Sequence, residues 1–301
     1  MLQEKDFSPP QTHVWTLPVE ACLSHDWQTF ERRLDAAAAQ RGMRKESLGS
    51  AFGRPLWLLT PAHTEARRKL LIASGFHGEE AAGPWALLRV LERGDPHVFA
   101  AADISFIPLV NVSGFSAGTR LNAAGENPNR GFRPELDAAA PSAEGRLLLA
   151  QAARMAALGR DGVLACHEDI DVAGGYVYAY ERAAAPGRFG TALRDANARS
   201  FPCHPDGVVD GCTLRDGIVF NHYDSSFESW AMTLGAACAA CTETPGLQPI
   251  EARIQAHVAM IEAFVQHAGS PDADVGHHSV ASPGVHARID AEAGKLLLGE
   301  A

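Results

Sequence analysis

Apolar residues in this chain fall into short unbroken runs separated by longer stretches with helical spacing. Leu70 to Ala73 form one such run, preceded by charge and broken by Gly75. That pattern suits a strand buried on both faces. Ile104 to Val110 (ISFIPLV), Gly162 to Cys166 (GVLAC) and Ala236 to Thr242 (AACAACT) read the same way, and the apolar segment PLWLLTP precedes the first of them. Helical periodicity predicts helices over Trp27 to Arg41, stopped by Gly42, and over Glu79 to Arg93, with acids in the first turn where they suit the dipole. It predicts two more over Glu144 to Leu158 and Glu251 to Gln266. Apolar strands alternating with helices specify an α/β sheet covered on both faces. Residues 171–225 are rich in Gly, Pro, Asp and aromatic residues and read as long loops with short elements. No internal repeat or linker is visible, so one domain is expected over 1–301, with a loosely ordered Gly/Pro/His-rich tail over 270–301.

Charge narrows the function classes. The 301 residues include 26 basic and 36 acidic side chains, a formal balance of −10. With no basic stripe to neutralise phosphates, nucleic acid and anionic membranes drop out as general partners. The longest uncharged apolar stretch, Trp230 to Thr242, falls short of the ~20 residues that span a bilayer. The opening residues show no apolar signal region, which sets the expectation of a cytoplasmic protein whose six cysteines (Cys22, Cys166, Cys203, Cys212, Cys238, Cys241) are reduced. The thirteen histidines raise the question of metal chemistry.

Titratable groups cluster just beyond the predicted strand ends, where open α/β sheets bind ligands. His77 and Glu80 form an H-x-x-E pair after the first strand and offer two of the three protein ligands of a catalytic zinc. His167, after GVLAC, is the natural third, leaving a coordination position open for water. Glu243, after AACAACT, suits a general base. In the string Asn111 to Arg130, the Asn129–Arg130 pair can clamp a carboxylate, and Arg120 can stabilise an oxyanion.

These motifs together resemble the zinc carboxypeptidases of the carboxypeptidase A-like superfamily, and within it the bacterial murein peptide amidases. The resemblance rests on four features. They are the strand followed by His77 and Glu80, the gapless segment Asn111 to Phe132, the strand-end His167, and Glu243 with Trp230 thirteen residues before it. It covers residues 60–265. It implies a mixed, mostly parallel eight-stranded sheet between helices and one Zn2+ per chain held by His77, Glu80 and His167. It further implies Glu243 as base, Arg120 polarising the scissile carbonyl, and Asn129 and Arg130 binding a substrate carboxylate. The chain departs from the family pattern in several places. Asn111-Val112-Ser113-Gly114 replaces N-P-D-G, Glu126-Asn127-Pro128 precedes Asn129 where V-D-L is usual, and Ala165-Cys166 precedes His167. Asn221 occupies the spacing of the family's substrate tyrosine, and Tyr223, two residues on, is taken for that role.

The implied activity is hydrolysis of an amide next to a free carboxylate, in a small peptide or murein peptide. The alternative is an N-acyl amino acid deacylase resembling succinylglutamate desuccinylase or aspartoacylase. A zinc-containing peptide-binding scaffold is the reading outside enzymes. Other signals read as structural. Cys238 and Cys241, three apart on a strand, face opposite sides and read as core. Cys203 and Cys212 near His204, and the acids Glu168, Asp169 and Asp171, are weighed as a bridge or further cation sites and set aside. His222 is a remote candidate for the site's rim, and His277 and His278 fall in the tail. No G-x-S-x-G elbow or phosphate loop is present.

Overall fold

The computed structural model describes residues 25–64 and 67–269. Ten strands run in chain order: β1 (Met43–Ala51), β2 (Arg54–Pro61), β3 (Lys69–Ser74), β4 (Asp103–Ile107), β5 (Gly162–Asp169), β6 (Tyr176–Glu181), β7 (Gly207–Val209), β8 (Cys212–Leu214), β9 (Ile218–Phe220) and β10 (Cys238–Pro245). Nine helices are described: α1 (Trp27–Gln40), α2 (Ala82–Arg93), α3 (Pro96–Ala101), α4 (Val112–Ala117), α5 (Ala143–Leu149), α6 (Ala152–Leu158), α7 (Arg188–Ala198), α8 (Phe227–Thr233) and α9 (Ile250–His267).

Eight strands form one sheet in the order β1-β2-β4-β3-β5-β10-β6-β9, and β7 and β8 form a separate hairpin. The centre is parallel, β4-β3-β5-β10, and β6 with β9 is parallel at one edge. β1-β2, β2-β4 and β10-β6 are antiparallel. The mixed, mostly parallel sheet therefore stands as the resemblance implied. Alternation along each strand feeds two cores. Leu70, Ile72, Leu164, Cys238 and Ala240 pack under helices α1, α2, α7 and α9. Leu71, Ala73, Val163, Ala165 and Ala239 pack under α5, α6 and α8. A strand buried on both faces must be apolar throughout, which explains the unbroken run at Leu70 to Ala73.

Several boundaries move. Helix α2 begins at Ala82, not Glu79, so no acid lies in its first turn. The carboxylate of Glu168 accepts the Ala82 amide from outside instead, at 2.6 Å. Strands β5 and β10 run three residues further than expected, so His167 and Glu243 lie within strands rather than beyond them. The stretch Glu144 to Leu158 breaks into α5 and α6. The presumed loops at 171–225 hold β6, α7 and three short strands. β6 escaped because YVYAYE is buried on both faces and so shows no polar alternation. β1 escaped for the opposite reason, as a polar, half-exposed edge strand. The tail at 270–301, with His277 and His278, and Cys22 lie outside the described residues.

Candidate metal centre and active site

Strand register assembles half of the site. β5 and β10 are parallel neighbours, with His167 opposite Glu243 and Ala165 opposite Cys241. Ala165 and Ala239 face the core beneath α8, so His167, Cys241 and Glu243 emerge side by side on that same face. β6 adds Tyr178 opposite Cys241 and Tyr180 opposite Ala239.

The other half is the turn after β3. Gly75 adopts φ +66°, a conformation that L side chains rarely take. A Cβ on Gly78 would stand 1.9 Å from the carbonyl carbon of Gly114, so this turn presses directly on the start of α4. Thus anchored, His77 and Glu80 meet His167. His77 Nδ1 lies 2.5 Å from Glu80 Oε1, and His167 Nδ1 lies 2.8 Å from Glu80 Oε2. All three residues are buried, and their ligand atoms lie within 4.8 Å of one another. Burial alone would push the Glu80 carboxyl up, but His77 and His167 outweigh it and bring it down to about 2. Burial lowers the pKa of His77, so the ring tends to the neutral form that a metal needs. Two imidazole nitrogens and one carboxylate are the donor set of a three-ligand metal site with an open position.

Outer neighbours flank the rings. His77 Nε2 lies 3.2 Å from Asn127 Oδ1, an oxygen that also accepts the Asn129 amide at 2.9 Å. Phe76 stacks on His167 at 5.5 Å, and Asn129 Nδ2 lies 3.3 Å from His167 Nε2.

A cavity of about 230 Å³ opens beside this cluster. Glu243 lines it with one oxygen 3.4 Å from the Cys241 thiol, while Oε2 is buried without a hydrogen-bond partner among the described residues. Burial first, and the Glu80 charge next, raise the Glu243 carboxyl well above the ordinary range. Arg120 also lines the cavity, half-exposed, with Nη1 3.3 Å from Glu80 Oε1 and 3.7 Å from Glu79 Oε1. Arg130 donates from Nη1 to its neighbour's carbonyl at 2.8 Å and turns Nη2 toward Asp224, 3.6 Å away.

Two expected substrate residues fare differently. Asn129 lines the cavity, with Oδ1 accepting the Phe227 N–H at 2.9 Å and Nδ2 3.4 Å from Glu228 Oε1. Tyr223 is outside the set of residues lining the cavity; it is 44% exposed and packs on Tyr180 at 5.5 Å. Asn221, at the expected tyrosine spacing, uses its amide to tie β9 to β6 through the Glu181 backbone.

Sequence reading missed Tyr178, Tyr180, Asp210, Cys212, Asp224 and Glu228, all of which line the cavity, and it placed His222 only as a remote rim candidate. The tyrosines could have been found by recognising β6 and its register. The opposite-face argument for the two cysteines holds, but only Cys238 is core; Cys241 faces the cavity. Cys203 and Cys212 are free thiols. Glu168 pairs with Arg253, and Asp169 accepts the Tyr176 hydroxyl at 2.8 Å, so the acids after His167 do not converge on a cation.

Known proteins share this fold. Residues 66–186 match the family model for the succinylglutamate desuccinylase/aspartoacylase catalytic domain. A crystal structure named as a candidate metallopeptidase from Shewanella amazonensis is 44% identical, with TM-score 0.79, covering 86% of this chain and 100% of that one. Another candidate metallopeptidase, from Shewanella denitrificans, is 42% identical with TM-score 0.76, over 81% of this chain and 91% of that one. A metallo-carboxypeptidase from Pseudomonas aeruginosa in complex with (2-guanidinoethylmercapto)succinic acid shares the fold at 20% identity and TM-score 0.59, over 80% of this chain and 68% of that one. No protein of curated function matches the sequence.

Proposed function

Because the chain belongs to the zinc carboxypeptidase-like superfamily of hydrolases, we propose that it is a zinc-dependent amidase or metallopeptidase. It cleaves the amide next to a free carboxylate, at the C-terminal residue of a peptide or murein-type peptide. One catalytic domain carries the activity. The observation that carries the reading is Glu243, which stands in register beside His167 at the edge of the His77–Glu80–His167 cluster with one oxygen unpartnered among the described residues.

His77, Glu80 and His167 would hold one zinc ion. When bound, zinc supplies Lewis acidity toward water and toward an amide carbonyl. Glu243 accepts the proton of the attacking water and returns it to the leaving amine; a raised carboxyl pKa suits both steps. Arg120 swings from Glu79 and Glu80 to the oxyanion. Arg130 takes the substrate carboxylate as a bidentate partner in place of Asp224. Asn129 fixes the wall between His167 and Glu228 rather than joining that clamp.

Glu243→Gln, which keeps shape and polarity, tests the mechanism. Metal content by elemental analysis should stay at about one per chain, and turnover of C-terminal dipeptides or a γ-D-glutamyl–diaminopimelate tripeptide should fall about 10²–10⁴-fold. An undiminished rate would sink it. A second reading, N-acyl amino acid deacylase, is favoured by the family model over 66–186. Hydrolysis of N-succinyl or N-acetyl amino acids in preference to peptides would establish it. Zinc at one per chain with no hydrolysis of any of these would support a binding scaffold.

A further inference from the structure

We infer that Asn197, near the end of α7 and outside the set of residues lining the cavity, is a positioning residue for Glu243. Its side-chain amide holds the main chain of the candidate base where the carboxylate can exchange a proton with the attacking water and the leaving amine. The inference deepens the proposed function and rests on its assignment of Glu243 as base.

Asn197 is 2% exposed. Its Nδ2 donates to the backbone carbonyl of Glu243 at 3.0 Å. The acceptor is a carbonyl, so Nδ2 and not Oδ1 must face it. Oδ1 is then buried without a hydrogen-bond partner among the described residues. Burying an amide that is only half satisfied carries a cost that an apolar side chain would avoid. Helix termination does not account for the residue. The backbone carbonyl of Asn197, not its side chain, accepts the Ser200 and Phe201 amides beyond the helix.

The bond falls where β10 is least supported. Toward β5, pairing continues to Pro245. Toward β6 it stops at Glu243, opposite Tyr176, the first residue of β6. Gly175 has already turned away, donating its amide to the Pro202 carbonyl and accepting the His204 amide. Glu243 therefore occupies a last rung, with no following rung to hold it, and the Asn197 amide supplies that restraint. The flanking residues are braced separately, since Thr242 Oγ1 lies 3.4 Å from His257 Nδ1 and Thr244 Oγ1 lies 3.0 Å from His257 Nε2. The Glu243 carboxylate has little to hold it directly. One oxygen meets the Cys241 thiol at 3.4 Å, and the other has no hydrogen-bond partner among the described residues. Its place is inherited from its backbone, and a misplacement of about 1 Å can cost about 10²-fold in rate.

Gly175 makes the contact possible. A Cβ there would stand 2.4 Å from Asn197 Nδ2, so any side chain at 175 pushes the amide off Glu243. The bond can thus be removed in two independent ways. Asn197→Leu deletes the donor, and Gly175→Ala keeps the donor but displaces it.

Both variants are compared with the parent as full zinc-loaded chains. The substrate is whichever amide the parent cleaves fastest among C-terminal dipeptides, a γ-D-glutamyl–diaminopimelate tripeptide and N-acetyl amino acids. Circular dichroism checks folding, and either variant suffices if the other does not fold. In each, kcat should fall about 10–100-fold while KM stays within about twofold and zinc stays at about one per chain. A purely structural role is separated by repeating Asn197→Leu in the Glu243→Gln background. With no base left to position, the residual rate there should change by less than about twofold. An unchanged kcat in the folded variants overturns the inference, as does a loss of equal size in both backgrounds. Turnover that falls in Glu243→Gln but not in Asn197→Leu overturns the inference alone. Turnover indifferent to Glu243→Gln removes the base assignment and the inference with it.

Discussion

The metal affinity of this site should depend on Asn127, a residue outside the His77–Glu80–His167 donor set. His77 Nε2 lies 3.2 Å from Asn127 Oδ1, while Nδ1 points at Glu80. For Nδ1 to bind a metal, Nε2 must carry the ring proton, and Asn127 is its acceptor. Losing such an outer partner typically costs about 10–100-fold in metal affinity, or roughly 1.4–2.7 kcal/mol. Asn127→Leu should weaken zinc binding by that amount. Asn127→Asp should strengthen it by about 1 kcal/mol, because a charged acceptor makes a hydrogen bond about twice as strong as a neutral one. Asp also retains the second role of this oxygen, which accepts the Asn129 amide. Leu loses both, so thermal unfolding of the metal-free proteins is needed to separate a loosened loop from a loosened ring. The assay is competition for zinc against a chromophoric chelator. If Leu, Asp and Asn all bind zinc within twofold of one another, Asn127 does not set the orientation of His77 and the reasoning fails.

Two further outcomes probe the frame behind the site. Arg253→Met should cost about 3–5 kcal/mol in urea unfolding, because it strands the carboxylate of Glu168, which is fully buried and paired with Arg253; the cost should shrink when Glu168→Gln is added, and equal costs in the two backgrounds would show that the pair is not coupled. Burial raises the carboxyl pKa of Glu181 despite its bonds from the Gly187 and Gly190 amides, so the folded chain holds that proton more tightly than the unfolded chain, and the contribution is complete below pH 4.5 and declines as pH rises through the folded value; Glu181→Gln should therefore gain stability relative to the parent between pH 4 and pH 8, whereas a constant difference would contradict this.

The candidate site was legible in part because chemistry left marks at fixed places. His77 and Glu80 follow an apolar run and a glycine, and His167 and Glu243 each end a short buried run. The rest of the cavity wall left no such marks. Tyr178, Tyr180 and Glu228 come from a strand and a helix whose residues read as loop or core, and they meet the cavity only because β6 pairs with β10 and α8 packs beneath them. The misjudged Cys241 has the same origin. Its strand neighbours are alanines and a threonine, so nothing local distinguishes a core position from a cavity position.

The sequence by itself determined the α/β class, the central strands and the His77–Glu80 pair of the candidate donor set, because each depends on local apolar patterning and on residue chemistry at short range. Tertiary structure alone decided that His167 stands opposite Glu243, that the Asn129 side chain accepts from Phe227, and that Glu228 is buried with one oxygen unpartnered among the described residues. Those facts depend on strand register and on packing between segments up to about a hundred residues apart, as in the bond from Phe227 to Asn129. Hydrophobic periodicity states which face a residue turns inward; it carries no record of what waits on the other side.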